Sequence, residues 1–178
     1  MSMSNELQTV EFLLEDFDAI CRKSFDVYRS YPPGVLIEHD SRAAAACRYA
    51  HMLSEADRRL SSRKQIIPRD INGLKVWIVG SDAVIRFKQM DEDGMTRNYP
   101  TRQARQYDRG STLPGLPEPA MRLTVGYLLD ATQTEYHRTQ IAKPRGWKLL
   151  PEWCAAIITD EGGRKQWVDV TRQKGFGP

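Results

Sequence analysis

The chain is poor in the residues that advertise chemistry. Its three cysteines, Cys21, Cys47 and Cys154, are odd in number and scattered through 178 residues, which fits neither a disulfide framework nor zinc spacing. Its three histidines, His39, His51 and His137, are equally dispersed. No Gly-x-Ser-x-Gly elbow, Gly-x-Gly-x-x-Gly turn or Walker loop is present, so serine nucleophiles and nucleotide cofactors are not indicated. Asp91-Glu-Asp-Gly94 is too short for a calcium loop and lacks its distal glutamate. Arg86-Phe-Lys88 has the lysine, but not the carboxylate, of a metal-dependent nuclease core. No apolar run approaches the ~18–20 residues of a membrane-spanning helix, and the N-terminus has neither the basic start nor the apolar core of a secretory signal. The expectation is a cytoplasmic protein without metal, cofactor or membrane partner, its thiols kept reduced.

What is present is an ordinary folding composition, 40% hydrophobic and 28% charged. It predicts one domain over residues 1–178. The net charge of +3 is unevenly spread. Residues 1–60 carry 7 Lys/Arg against 10 Asp/Glu, and residues 61–178 carry 19 against 13. An acidic start and a basic remainder imply either self-complementary packing or a basic surface for an acidic partner.

Hydrophobic periodicity predicts a helix over Asn5–Arg29, with Leu7, Val10, Leu13/Leu14, Phe17, Ile20/Cys21, Phe25 and Tyr28 on one stripe. Tyr31-Pro-Pro-Gly34 ends it. Val35–Ile37 reads as extended, and Asp40-Ser41 caps a second helix running to about Ser61, whose stripe is alanine-rich. Strands are expected at Leu74–Val79, Ala83–Met90, Met121–Leu129, Glu135–Ala142, Trp153–Thr159 and Lys165–Val170. A short helix, Arg102–Asp108, is capped by Thr101, and a proline-rich loop follows it at 113–119. The fold class is therefore α+β: two N-terminal helices packed on an antiparallel sheet of about five or six strands, with one short inserted helix. The helical part spans about 5–61 and the sheet part about 74–170. In element order alone, the later part resembles PAS, GAF and profilin-like topologies.

The leading functional candidates are arginines. Arg102, Arg105 and Arg109 fall at i, i+3 and i+7 of the short helix, with Arg97 upstream and Tyr99, Gln103, Gln106 and Tyr107 among them. Guanidinium forks suit phosphate oxygens, and aromatic neighbours suit bases. The competing reading is a solvated face paired with Asp91, Glu92, Asp93 or the acidic first helix. A second basic group comprises Arg86 and Lys88, read as outward on their strand, with Arg122 and Arg138 on later strands.

Trp147, in Lys143-Pro-Arg-Gly-Trp-Lys148, is either an exposed anchor between basic residues or a loop residue folded onto the core. Glu135 and His137, two apart on one strand, form the only general acid–base candidate. Arg48 and His51 on the second helix miss the Arg–(four to six)–His spacing of helical ribonucleases.

These residues point first to a non-enzymatic regulatory or accessory protein that binds an acidic partner, nucleic acid favoured. The alternatives are a protein-interaction module (an inhibitor, an antitoxin-like partner or a homodimer) and a cryptic nuclease.

Overall fold

The computed structural model describes residues 2–96, 101–118 and 120–172. Helices α1 (Met3–Gln8), α2 (Leu14–Arg29), α3 (Pro33–Glu38) and α4 (Ser41–Leu60) precede strands β1 (Ile66–Ile71), β2 (Leu74–Val79) and β3 (Ala83–Phe87). Helix α5 (Arg102–Asp108) follows, then β4 (Met121–Leu129), β5 (Tyr136–Lys143), β6 (Trp153–Thr159) and β7 (Lys165–Asp169). The seven strands form one sheet in chain order, mostly antiparallel. This is an α+β architecture. No helix among the described residues is long and apolar enough to cross a membrane.

The apolar stripes form the core as their spacing demands. From α2 and α4, Phe17, Ile20, Met52 and Ala56 pack on Trp77, Ile85, Phe87, Tyr127 and Ile141 of the sheet. Asp40 caps α4 by accepting from Ala43 N at 2.7 Å. Thr101 caps α5 by accepting from Ala104 N at 3.2 Å.

The structure corrects the expected elements in four places. The single helix over 5–29 is broken: α1 ends at Gln8 and a 3-10 turn, Glu11–Leu13, intervenes before α2. The break leaves Val10 buried and lets the Glu6 carboxylate reach Trp153 Nε1 and Lys143 Nζ, both at 2.6 Å. Val35–Ile37 is not extended but lies in α3, whose N-terminal proline presets a helical φ.

A seventh strand, β1, precedes those expected. Its Pro68 argues against a strand, yet β1 is an edge, where a missing amide costs no ladder bond. Asn72 and Gly73 take φ of 51° and 86° in the turn joining β1 to β2, and Asn-Gly is the hairpin signal that marks this strand in the sequence.

The fourth correction matters most for function. The sheet is not wholly antiparallel: β3 and β4 pair in parallel, Ile85 opposite Leu123. A parallel pair needs a crossover, and residues 88–120 supply it with α5 inside. The crossover covers the second face of the sheet, where Tyr107, Leu113 and Leu116 pack on Val76, Ile78 and Val84.

At the end of the parallel pair the two backbones nearly touch. Lys88 N donates to Val125 O at 2.9 Å, and a Cβ on Gly126 would fall 1.7 Å from the Lys88 carbonyl oxygen. Gly126→Ala must push the strands apart. The expected outcome is a loss of about 1–3 kcal/mol or more in urea unfolding; an unchanged midpoint would contradict this packing.

Candidate functional site

Beside its apolar contacts, the buried layer of the α5 crossover holds charged groups. Arg86, expected to face solvent, is buried: its Nη2 meets Asp108 Oδ1 at 2.5 Å and its Nε donates to Thr124 Oγ1 at 3.0 Å. Arg122 is likewise buried, 3.5 Å from Glu118 and 3.2 Å from the Ser111 carbonyl. The Tyr107 ring lies near both guanidinium groups, 4.8 Å from that of Arg86 and 5.4 Å from that of Arg122. Its hydroxyl sits 2.6 Å from Val84 O and 2.7 Å from Leu123 O, and accepts from Leu123 N at 3.2 Å. Burial pushes the Tyr107 hydroxyl and the Asp108 carboxyl above their ordinary pKa ranges. The expectation of a solvated strand face fails here because α5 and the loop after it cover that face.

Outside this layer lie the cations of α5 and of the loop between β5 and β6. The Arg105 guanidinium stacks on Trp147 at 4.1 Å, and Lys148 Nζ lies 4.7 Å from the same ring. Trp147 is thus half-buried, folded against α5, with a basic group near its ring from each element. Arg109 and Arg145 are exposed and line a groove of about 710 Å³ that also contains Arg122, Lys143 and Asp108. Four of the five carboxylates in that groove are already paired: Glu6 and Glu152 with Lys143, Glu118 with Arg122, and Asp108 with Arg86. Arg102 is exposed one turn before Arg105 and borders a separate depression beside Asp70. Arg102, Arg109, Arg145 and Lys148 make no ion pair among the described residues. Arg97 and Tyr99 lie outside them.

Much of the charge asymmetry along the chain is internal complementarity. Glu6 holds Lys143 at 2.6 Å, Asp16 holds Arg63 at 2.5 Å, and Asp18 holds Lys165 at 2.6 Å. Burial raises the Asp18 carboxyl, but bonds from Lys165, Thr139 and Arg22 outweigh it and hold the pKa below the ordinary value. Carboxylates of the N-terminal helices therefore neutralise Arg63, Lys143 and Lys165 of the later, basic part of the chain.

The acid–base candidates are not assembled. Glu135 lies outside β5 and faces Arg29 at 3.4 Å. His137 is exposed beside Arg138 and Arg172, and no hydrogen bond joins it to Glu135. His39 and His51 instead cap a tyrosine cluster: Tyr28 Oη lies 3.2 Å from His39 Nδ1, and Tyr31 Oη 2.6 Å from His51 Nε2. No group of three or more metal-ligating side chains occurs among the described residues.

Lys88 also departs from expectation. It is half-buried with Nζ 4.1 Å from the Tyr49 ring. Burial, and then the neighbouring Arg86, pull its pKa down to about 8. Sequence reasoning weighed Arg48 only against a ribonuclease spacing and did not anticipate its burial against Tyr127. It also passed over Asp108, which a helix-end reading leaves on the surface.

Compared with known proteins, the chain matches no family model, no curated protein and no solved structure.

The Lys88 shift has a signed consequence. Its folded pKa lies below the unfolded value of 10.5, so folding favours the neutral amine and carries the full penalty below pH 8. Stability contributed by this group therefore rises as pH climbs from about 8 to 10.5. In denaturant unfolding across that window, wild type should gain on the order of 2 kcal/mol relative to Lys88→Met. Parallel curves for the two proteins would show that the amine is solvated.

Proposed function

We propose that the chain is a non-enzymatic accessory protein that binds an acidic partner, nucleic acid, through α5 and the β5–β6 loop. One observation carries the reading. Arg109, Arg145 and Lys148 flank the Arg105–Trp147 stack, Arg102 lies one turn before Arg105, and none of the four forms an ion pair among the described residues. Most other arginines of the chain, by contrast, are held by carboxylates. Guanidinium groups contact phosphate oxygens through paired N–H donors. A half-exposed indole offers a base a stacking surface that tolerates any sequence, so single strands fit better than a duplex. The buried Arg86–Asp108 pair fixes the helix that carries Arg102 and ends at Arg109, which limits the ordering cost of binding.

Anisotropy of labelled single-stranded RNA and DNA, measured against salt, tests the reading. Three or four phosphate contacts give a slope of log K against log salt of roughly −2 to −3. The Arg109→Ala/Arg145→Ala pair should lower the magnitude of that slope by about 1.4. Absence of binding at low salt rejects the proposal.

A second reading, self-association, is favoured by α3. None of its residues is buried, and Ile37 and Val35 are 84% and 37% exposed. At the start of α4, Ala46 is exposed and Ala43, Ala44 and Ala45 are half-buried. Light scattering should then give a dimer that Ile37→Asp converts to monomer; a wild-type monomer at high concentration excludes it.

A further inference from the structure

Buried polar groups are ordinarily hydrogen-bonded, and a buried cation ordinarily has a close partner of opposite sign. Arg122 of β4 meets neither condition, although it is only 7% exposed. Its Nη1 is shielded from solvent and has no hydrogen-bond partner among the described residues. Its Nη2 donates to Ser111 O at 3.2 Å and lies 3.5 Å from Glu118 Oε1, at the outer limit of a hydrogen bond. Arg86, buried beside it on β3, is fully held by Asp108 and Thr124. The Arg122 guanidinium is under-bonded.

Arg122 lines the groove of about 710 Å³ described above, within the roughly 300–1,000 Å³ typical of small-ligand sites. Arg109 and Arg145 border the same groove, exposed and without an ion pair among the described residues. The carboxylates there are committed to different degrees. Glu6 and Glu152 hold Lys143, and Asp108 holds Arg86. Asp82 accepts from Ser81 Oγ at 3.0 Å. Glu118 is the loosest: its side chain is 43% exposed, and its one ion pair is the long contact to Arg122. Two free cations and one under-bonded cation therefore share a groove with one carboxylate outside any ion pair, Asp82.

A phosphodiester carries one charge and continues as chain on both sides. A terminal phosphomonoester carries about −1.5 to −2 at pH 7 and presents three acceptor oxygens. A guanidinium this deeply set is accessible to a group that ends there, not to one that runs past it. We propose that the groove receives the terminal phosphate of a bound single strand. Arg122 exchanges its long contact with Glu118 for bonds to the phosphate, and Arg109 and Arg145 supply the remaining charge. This end recognition rests on the nucleic-acid reading above. It also gives the strand a direction, because Arg109 lies against the β5–β6 loop at Gly146, next to Trp147. The end sits in the groove and the bases that follow run towards the Arg105–Trp147 stack.

The experiment is anisotropy of the full chain with labelled single strands of one sequence carrying a 5′-phosphate, a 3′-phosphate or hydroxyl ends. Wild type should bind one phosphorylated strand about ten-fold more tightly than the hydroxyl-ended one, and the arm that gains identifies which end is held. A hydroxyl-ended strand one nucleotide longer, which adds a diester charge, should not reproduce the gain. Arg122→Met keeps the apolar stem and leaves only the half-exposed Glu118 unpaired. It should abolish the preference while still binding the hydroxyl-ended strand. Glu118→Gln, which removes the competing carboxylate from an exposed position, should widen the preference about two- to five-fold; it decides the question even if Arg122→Met does not fold. Equal binding of phosphorylated and hydroxyl-ended strands by wild type overturns end recognition and leaves the nucleic-acid reading standing. If no strand binds, that reading fails, and titration with nucleoside 5′- and 3′-monophosphates judges the groove alone. Binding that Glu118→Gln strengthens retains it as a phosphate site, and no binding overturns it.

Discussion

The ion pair between Arg86 of β3 and Asp108 of α5, 2.5 Å long with both side chains almost wholly buried, is the constraint on which the second face of the sheet depends. Two charges taken out of water are tolerated only where geometry and further hydrogen bonds compensate them. Thr124 and the Tyr107 ring provide that compensation. The Tyr107 hydroxyl, set between the Val84 and Leu123 carbonyls, ties the helix to both strands of the parallel pair. The result fixes α5, and with α5 the outward direction of Arg105 and Arg109.

The same rule of compensation sorts the cations of the molecule into two main groups. Lys143 and Lys165 meet carboxylates of α1 and α2 and serve the packing of helix on sheet, while Arg59 and Arg63 meet Asp16 and tie α4 and the segment after it to α2. Arg102, Arg109, Arg145 and Lys148 remain in solvent, where an unpaired charge costs little and stays available to a polyanion. Arg48 stands apart, 3% exposed with only neutral hydrogen-bond partners, which is the costly condition. The surface proposal rests on the second group.

In an antiparallel ladder, neighbouring strands end at opposite ends of the sheet. β3 and β4 instead run the same way, with Phe87 at the end of β3 opposite Val125 and β4 continuing to Leu129. The close approach at Gly126 sets Lys88 at the end of that pairing. Helix α4 places Tyr49 against Lys88 and Arg48 against Tyr127.

By itself the sequence determined most of the local elements and the apolar faces of α2, α4 and β4. The apolar stripe of α2, the Asp40 and Thr101 caps, the Arg102–Asp108 helix and the alternation in β4 follow from spacing and side-chain chemistry within a few residues. The Asn72-Gly73 turn carries a hairpin signal that the sequence reading did not use, and Pro68 concealed the strand it closes. Tertiary structure alone decided which cations are paired, because Glu6 and Lys143, or Asp18 and Lys165, are far apart in the chain and meet only when helices dock on the sheet. It also decided that the second sheet face is dry, since that depends on where a crossover lies rather than on the alternation of β3. Spacing along a chain encodes the period of an element; compensation of a charge is a property of the space around it.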